Sequence, residues 1–159
     1  MSDLIVAAQT GDVTAVQSLL AQGIAADSAK DDGTTALIAA AEQGHLDVVN
    51  VLLEQEASPN LPDQDGWTAL MGASAAGHVE IIQTLLERGA DVNAKTQFGL
   101  TVLMSAAAQG QRAAVQQLLE KGANLGDRDQ NGWTALIWAA EGNHTDVVEL
   151  LKDARAKAG

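Results

Sequence analysis

The sequence predicts an all-α solenoid, five copies of one helix pair stacked side by side, and three observations carry that prediction. Gly33, Gly66, Gly99 and Gly132 stand 33 residues apart and open nearly the same phrase, GTTALIAAA, GWTALMGAS, GLTVLMSAA and GWTALIWAA. A second ladder, Gly11, Gly44, Gly77 and Gly110, keeps the same interval, with Asn143 in the next place. Each member precedes an apolar run ending in paired leucines, Leu19-Leu20, Leu52-Leu53, Leu85-Leu86 and Leu118-Leu119, and then Leu151 with Lys152. Two ladders in phase mark an array of repeated units.

The first unit begins directly at Ser2-Asp3-Leu4. The unit from Gly66 to Gly99 serves as the type for the rest. Thr68 is an N-cap, and the small residues after it are spaced for a helix from about Ala69 to Ala76. Gly77 stops that helix in a left-handed conformation. His78 and Val79 open a second helix with Ile81, Ile82, Leu85 and Leu86 on one face, Glu80 in its first turn and Arg88 at its end, as the helix dipole favours. Gly89 ends it, and ADVNAKTQFG is polar and turn-forming. Helices of about two turns do not persist alone in water, so stacking on neighbours is obligatory. Alanine-rich first helices permit close approach and the leucine and valine pairs of the second helices fill a broader outer layer, which predicts a curved stack. Glu56 stands where Gly23, Gly89 and Gly122 end the other second helices, and Pro59 and Pro62 follow it. A left-handed non-glycine residue costs on the order of 1 kcal/mol, so the joint between the second and third units is predicted to be the irregular, weak one. The last unit ends in Lys152, Arg155 and Lys157, and Gln9, Gln17 and Gln22 sit at the other end, polar residues suited to shielding terminal faces. They predict an array complete at both ends.

The phrases T-A-L-I/M-x-A, G-H-x-x-V/I-V/I-x-x-L-L and G-A-D-V-N at a 33-residue period resemble ankyrin repeats. The resemblance covers residues 1–155 and implies a single domain over 1–159, with repeats at about 1–29, 30–62, 63–95, 96–128 and 129–159, the first and last as caps. It implies paired antiparallel helices with β-turn fingers, the fingers and first helices lining a concave groove that binds another protein. Where the family carries Thr-Pro-Leu-His, this chain has Thr35-Ala36-Leu37-Ile38, Thr68-Ala69-Leu70-Met71, Thr101-Val102-Leu103-Met104 and Thr134-Ala135-Leu136-Ile137. Losing the histidine in all four predicts drier packing between first helices.

Composition narrows the function classes. Nearly half the residues are hydrophobic and none is cysteine, which removes disulfides and thiolate metal sites. MSDLIVAAQTGD has no basic n-region and its apolar stretch stops at Ala8, so neither a secretory signal nor a membrane span is expected, and a cytoplasmic monomer is. Residues 1–87 hold 13 of the 21 acids and one of the nine bases, so the whole formal charge of −12 sits there. Nucleic acid and anionic membrane are disfavoured; a protein with a basic patch would be steered in, although acidic surfaces also serve solubility. Asp27, Asp31, Asp32, Asp63 and Asp65 are expected along one finger edge. An acidic inhibitor or nucleic-acid mimic is the alternative function.

Catalytic and metal chemistry find no support. His45, His78 and His144 recur in register, but stacking would hold neighbours about 10 Å apart, beyond a shared ion. They read as polar side chains fixing the turn before each second helix. Asp127-Arg128-Asp129-Gln130-Asn131-Gly132 matches half a calcium loop, yet Trp138 stands at its twelfth position instead of a bidentate glutamate. Ser74 near His78 lacks the G-x-S-x-G phrase and a preceding strand. No catalytic residue, metal site or cofactor is expected.

The aromatics are three Trp and one Phe. The resemblance places the partner-facing surface at Asp31, Asp32 and Thr34, at Gln64, Asp65 and Trp67, at Gln97, Phe98 and Leu100, and at Gln130, Asn131 and Trp133. Trp138 lies on the last first-helix, where it either extends the groove or fills the end of the stack. Trp67 and Trp133 share one slot and read as binding anchors about 20 Å apart, two units of roughly 10 Å. The alternative is that each packs across its own turn.

Overall fold

The structure, a computed structural model, describes residues 3–159. The expected start at Ser2 lies outside them. The described residues form ten helices in five antiparallel pairs: α1 (Asp3–Thr10) with α2 (Val13–Ala21), α3 (Ala36–Gln43) with α4 (Leu46–Glu54), α5 (Ala69–Ala76) with α6 (Val79–Glu87), α7 (Val102–Ala108) with α8 (Arg112–Glu120), and α9 (Ala135–Glu141) with α10 (Thr145–Ala158). The odd-numbered helices pack on one another in chain order as an inner layer, and the even-numbered ones as an outer layer.

Burial explains the two compositions. Six consecutive residues of α3, Ala36–Ala41, are buried, as are Ala69–Ser74 of α5 and Val102–Ala107 of α7. A helix enclosed on all sides has no place for a polar stripe. Ile38, Met71 and Met104, which replace the family histidine, are each at most 2% exposed, so the expected dry packing is present. The outer helices bury only a stripe, such as Ile81, Ile82 and Leu85 of α6, and keep their polar faces in water.

Each inner helix after the first starts as expected. Thr35, Thr68, Thr101 and Thr134 accept the N–H three residues on, at 3.2 to 3.4 Å. Glu56 is left-handed (φ 63°), yet its turn is regular: Ala57 N–H donates to Leu52 O at 3.0 Å, as Ala90 does to Leu85 O at 2.9 Å. Ala29–Thr35 and Lys95–Thr101 form isolated antiparallel bridges, whereas the register-equivalent Pro62 and Arg128 both form none, so the joint after Glu56 is not set apart. The last unit differs. Arg155 occupies the position where Gly23, Glu56, Gly89 and Gly122 turn left-handed, and α10 runs on through it for 14 residues. At the open face beyond it Leu136 and Ile137 are half-buried, where Leu103 and Met104 are buried under a following unit. The polar shield expected there is partial.

Candidate functional site

The fingers lie edge to edge, held by one backbone bond per junction: Gln64 N–H to Asp32 O, Gln97 N–H to Asp65 O, and Gln130 N–H to Phe98 O, each 2.9 Å. The Gln64 and Gln97 amides add side-chain bonds to Asp31 O and Gln64 O. Approach at this range explains the finger glycines. A Cβ on Gly66 would lie 2.9 Å from Thr96 Cα, whereas one on Gly132, with no finger beyond it, would meet nothing within 4 Å.

Two further ladders tie the units behind the fingers. His45, His78 and His144 do not cap their own helices. Each Nε2 instead donates to a carbonyl of the preceding unit, Gln9 O at 3.0 Å, Glu42 O at 3.1 Å and Ala108 O at 3.0 Å, and Gln111 does the same to Ala75 O at 3.0 Å. At the loops following the outer helices, Asp27 accepts from Ser58 N–H and Oγ–H (2.8 and 2.7 Å), Asn60 Oδ1 from Asp91 N–H (2.7 Å) and Asn93 Oδ1 from Asn124 N–H (2.8 Å). Asp27 is thus committed to an inter-unit bond and does not join the finger acids.

Of the residues singled out in sequence, Asp31, Asp32, Gln64, Asp65, Gln97, Phe98, Gln130 and Asn131 are exposed, and Thr34, Trp67, Leu100, Trp133 and Trp138 are half-buried. Phe98 is 51% exposed, more than any other large apolar side chain among the described residues. Asp32 Oδ1 accepts from Thr34 N–H at 2.9 Å, and this bond, with the Thr34 hydroxyl, holds the Asp32 carboxyl below the ordinary carboxylate range.

The two shared-slot tryptophans have different neighbours. Trp67 Nε1–H donates to Glu42 Oε1 at 2.9 Å, across the junction to the end of α3. Gly72 makes room for that side chain: a Cβ there would stand 2.4 Å from Glu42 Cγ. Desolvation raises the Glu42 pKa above its ordinary 4.5; the indole bond opposes the rise and the Asp63 charge adds to it. Asp63 Oδ1 accepts from Asp65 and Trp67 N–H, both 2.9 Å. Trp133 has Ala108 in the place of Glu42. It packs edge to face against Trp138, centroids 4.9 Å apart at 65°, and Trp138 Nε1–H donates to Asp129 Oδ2 at 2.9 Å. Asp129 Oδ1 accepts from Asn131 and Trp133 N–H. The half calcium loop thus spends both Asp129 oxygens on its own finger and on Trp138. Glu42 was not among the candidates, and Asp63 and Asp129 stood there only as a finger-edge acid and as part of the half calcium loop; aligning each finger with the inner helix of the unit before it would have paired Glu42 with Trp67.

No helix among the described residues is long and apolar enough to cross a membrane. A comparison with curated proteins found no match. The family model for ankyrin repeats, three copies long, matches residues 4–96 and again 93–158.

Proposed function

Since the chain belongs to the ankyrin-repeat family, whose members are generally protein-protein interaction modules, we propose that it is a cytoplasmic, monomeric, non-catalytic module of one domain over 1–159. It binds a partner protein through the concave surface of its fingers and inner helices. The observation that carries this reading is the finger ladder, one 2.9 Å backbone bond per junction, which joins the successive fingers that carry Trp67, Phe98, Leu100 and Trp133. Fixed aromatic side chains at an interface lose little entropy on binding and serve as anchors. Asp31, Asp32 and Asp65 lie exposed on the same fingers and would steer a partner with a basic patch.

A second reading, an acidic inhibitor occupying the nucleic-acid site of a basic protein, draws on the charge of −12 confined to residues 1–87. Affinity capture from the native host at low and high salt tests both. The groove reading expects capture to fall by at least tenfold with Trp67→Ala plus Trp133→Ala bait and to resist added DNA or RNA. The mimic reading expects nucleic acid to displace the partner and the tryptophan variants to retain it. With the partner in hand, Asp31→Asn, Asp32→Asn and Asp65→Asn together should slow association and flatten its salt dependence while dissociation holds.

A further inference from the structure

Trp67 sits in a slot that recurs in every finger, yet only here does a carboxylate face an aromatic ring. The slot and its partner on the preceding inner helix are Thr34 with Gln9, Trp67 with Glu42, Leu100 with Ala75, and Trp133 with Ala108. The Glu42 stem lies against the bare Cα of Gly72, and Oε1 is engaged by the indole N–H at 2.9 Å. Glu42 Oε2 and Asp63 Oδ2 have no donor among the described residues, and no lysine, arginine or histidine nitrogen there lies within 4 Å of either carboxylate. The ion pair found among the described residues, Lys95 with Asp127 at 3.3 Å, lies elsewhere. A half-buried indole bonded to one carboxylate, with the Asp63 charge close enough to act on that carboxylate, in the half of the chain that holds one base and 13 acids, leaves negative charge beside an aromatic ring without a counter-cation.

We propose that the Trp67–Glu42 pair is a receptor for an arginine side chain presented by the partner protein, a proposal that rests on the groove reading and names the chemistry of its acidic end. A guanidinium is planar and weakly hydrated, so it stacks on an indole while its edge donates to a carboxylate; an ammonium does one or the other less well. Asp63 adds attraction without having to touch the ligand. The Trp133 slot lacks a facing carboxylate, and its indole leans on Trp138, so it takes an apolar group. The partner segment therefore carries an arginine and, two repeats away, an apolar side chain.

The test follows the indole N–H resonances of Trp67, Trp133 and Trp138 in the isotope-labelled full chain, titrated with acetyl-Gly-Arg-Gly-amide and with its lysine and citrulline counterparts. The arginine peptide is expected to shift Trp67 saturably in the millimolar range and leave Trp133 and Trp138 in place. Citrulline, isosteric and neutral, should bind at least tenfold more weakly, and lysine several-fold more weakly. Glu42→Gln keeps an acceptor for the indole, so it should not lower the melting temperature and should weaken the arginine peptide at least fivefold. Gly72→Ala, which displaces the Glu42 stem, should weaken it likewise. Equal binding of citrulline, indifference to Glu42→Gln, or a response at Trp133 instead of Trp67 would overturn the proposal, and lysine matching arginine would overturn the guanidinium assignment. Loss of partner capture by the tryptophan variants without arginine binding would sink this proposal alone; arginine binding with capture intact would sink the groove reading.

Discussion

Trp67 and Trp133 occupy the same place in the same phrase, GWTAL, and share their local conformation. Each donates its backbone N–H to the carboxylate of an aspartate four residues earlier, Asp63 or Asp129, at 2.9 Å. What differs is the preceding unit and the position in the array. Behind Trp67 stands Glu42, so the indole N–H ends on a carboxylate that has lost part of its water. Behind Trp133 stands Ala108, and the ring closes on Trp138 instead. Asp63 is half-buried with one oxygen unengaged, while Asp129 is buried with both oxygens used. The lesson is that a repeat phrase fixes backbone and orientation, whereas the chemistry at a slot belongs to the junction between two units.

Asp129→Ala and Asp63→Ala should separate the slots most sharply. Removing Asp129 strips an acceptor from three N–H groups and frees Trp138, an expected loss of about 3 kcal/mol in urea denaturation. Removing Asp63 strips two backbone donors near solvent and also relieves repulsion on Glu42, so the expected loss is under about 1 kcal/mol. Equal losses would mean that burial does not distinguish the slots.

The glycine before each tryptophan gives the next contrast. Both are left-handed, Gly66 at φ 89° and Gly132 at φ 80°. Gly132→Ala should cost only the backbone strain, about 1 kcal/mol. Gly66→Ala adds a collision with Thr96 Cα and should cost about 2 kcal/mol or more by the same denaturation. Ahead of the Trp67 finger, Glu56→Gly should raise stability by about 0.5 kcal/mol, left-handed strain relieved less the entropy glycine adds to the unfolded chain.

The smallest expected effect is a pH dependence confined to the Trp67 slot. The folded Glu42 pKa is raised, so the folded chain holds this proton to higher pH than the unfolded chain does. Its contribution to stability therefore falls as pH rises from the ordinary carboxylate value through the raised one, and is constant above. Glu42→Gln removes that fall, so its stability relative to the parent should increase across this window. Denaturation midpoints at several pH values check it; a difference that shrinks with pH would reverse the sign.

The fold was legible because its rules are local and repeated. The type inner helix runs from Ala69 to Ala76 as the spacing predicts, Thr68 caps it, Gly77 ends it, and Glu56 is left-handed as its position among glycines requires. The site was legible only in outline. Finger glycines and shared slots appear in the repeat, but Glu42 with Trp67, His78 with Glu42 O, and Gln64 with Asp31 O join residues 25 to 36 apart, and only the stacking offset brings them together. The same offset explains why histidines that read as local turn residues are inter-unit ties. The irregularity expected at Glu56 does not appear, because a left-handed residue preserves the turn's bonds.

The most direct measurement is the dissociation rate of the captured partner from the Trp67→Ala and Trp133→Ala chains at low and high salt. Two anchors of different chemistry in one groove should each speed dissociation at least tenfold, about 1.4 kcal/mol. The Trp133 effect should hold across salt, and the Trp67 effect should shrink as salt screens the charges around it. If both variants keep the parent's rate while their denaturation midpoints fall, the tryptophans are staples of the fold and the partner binds elsewhere.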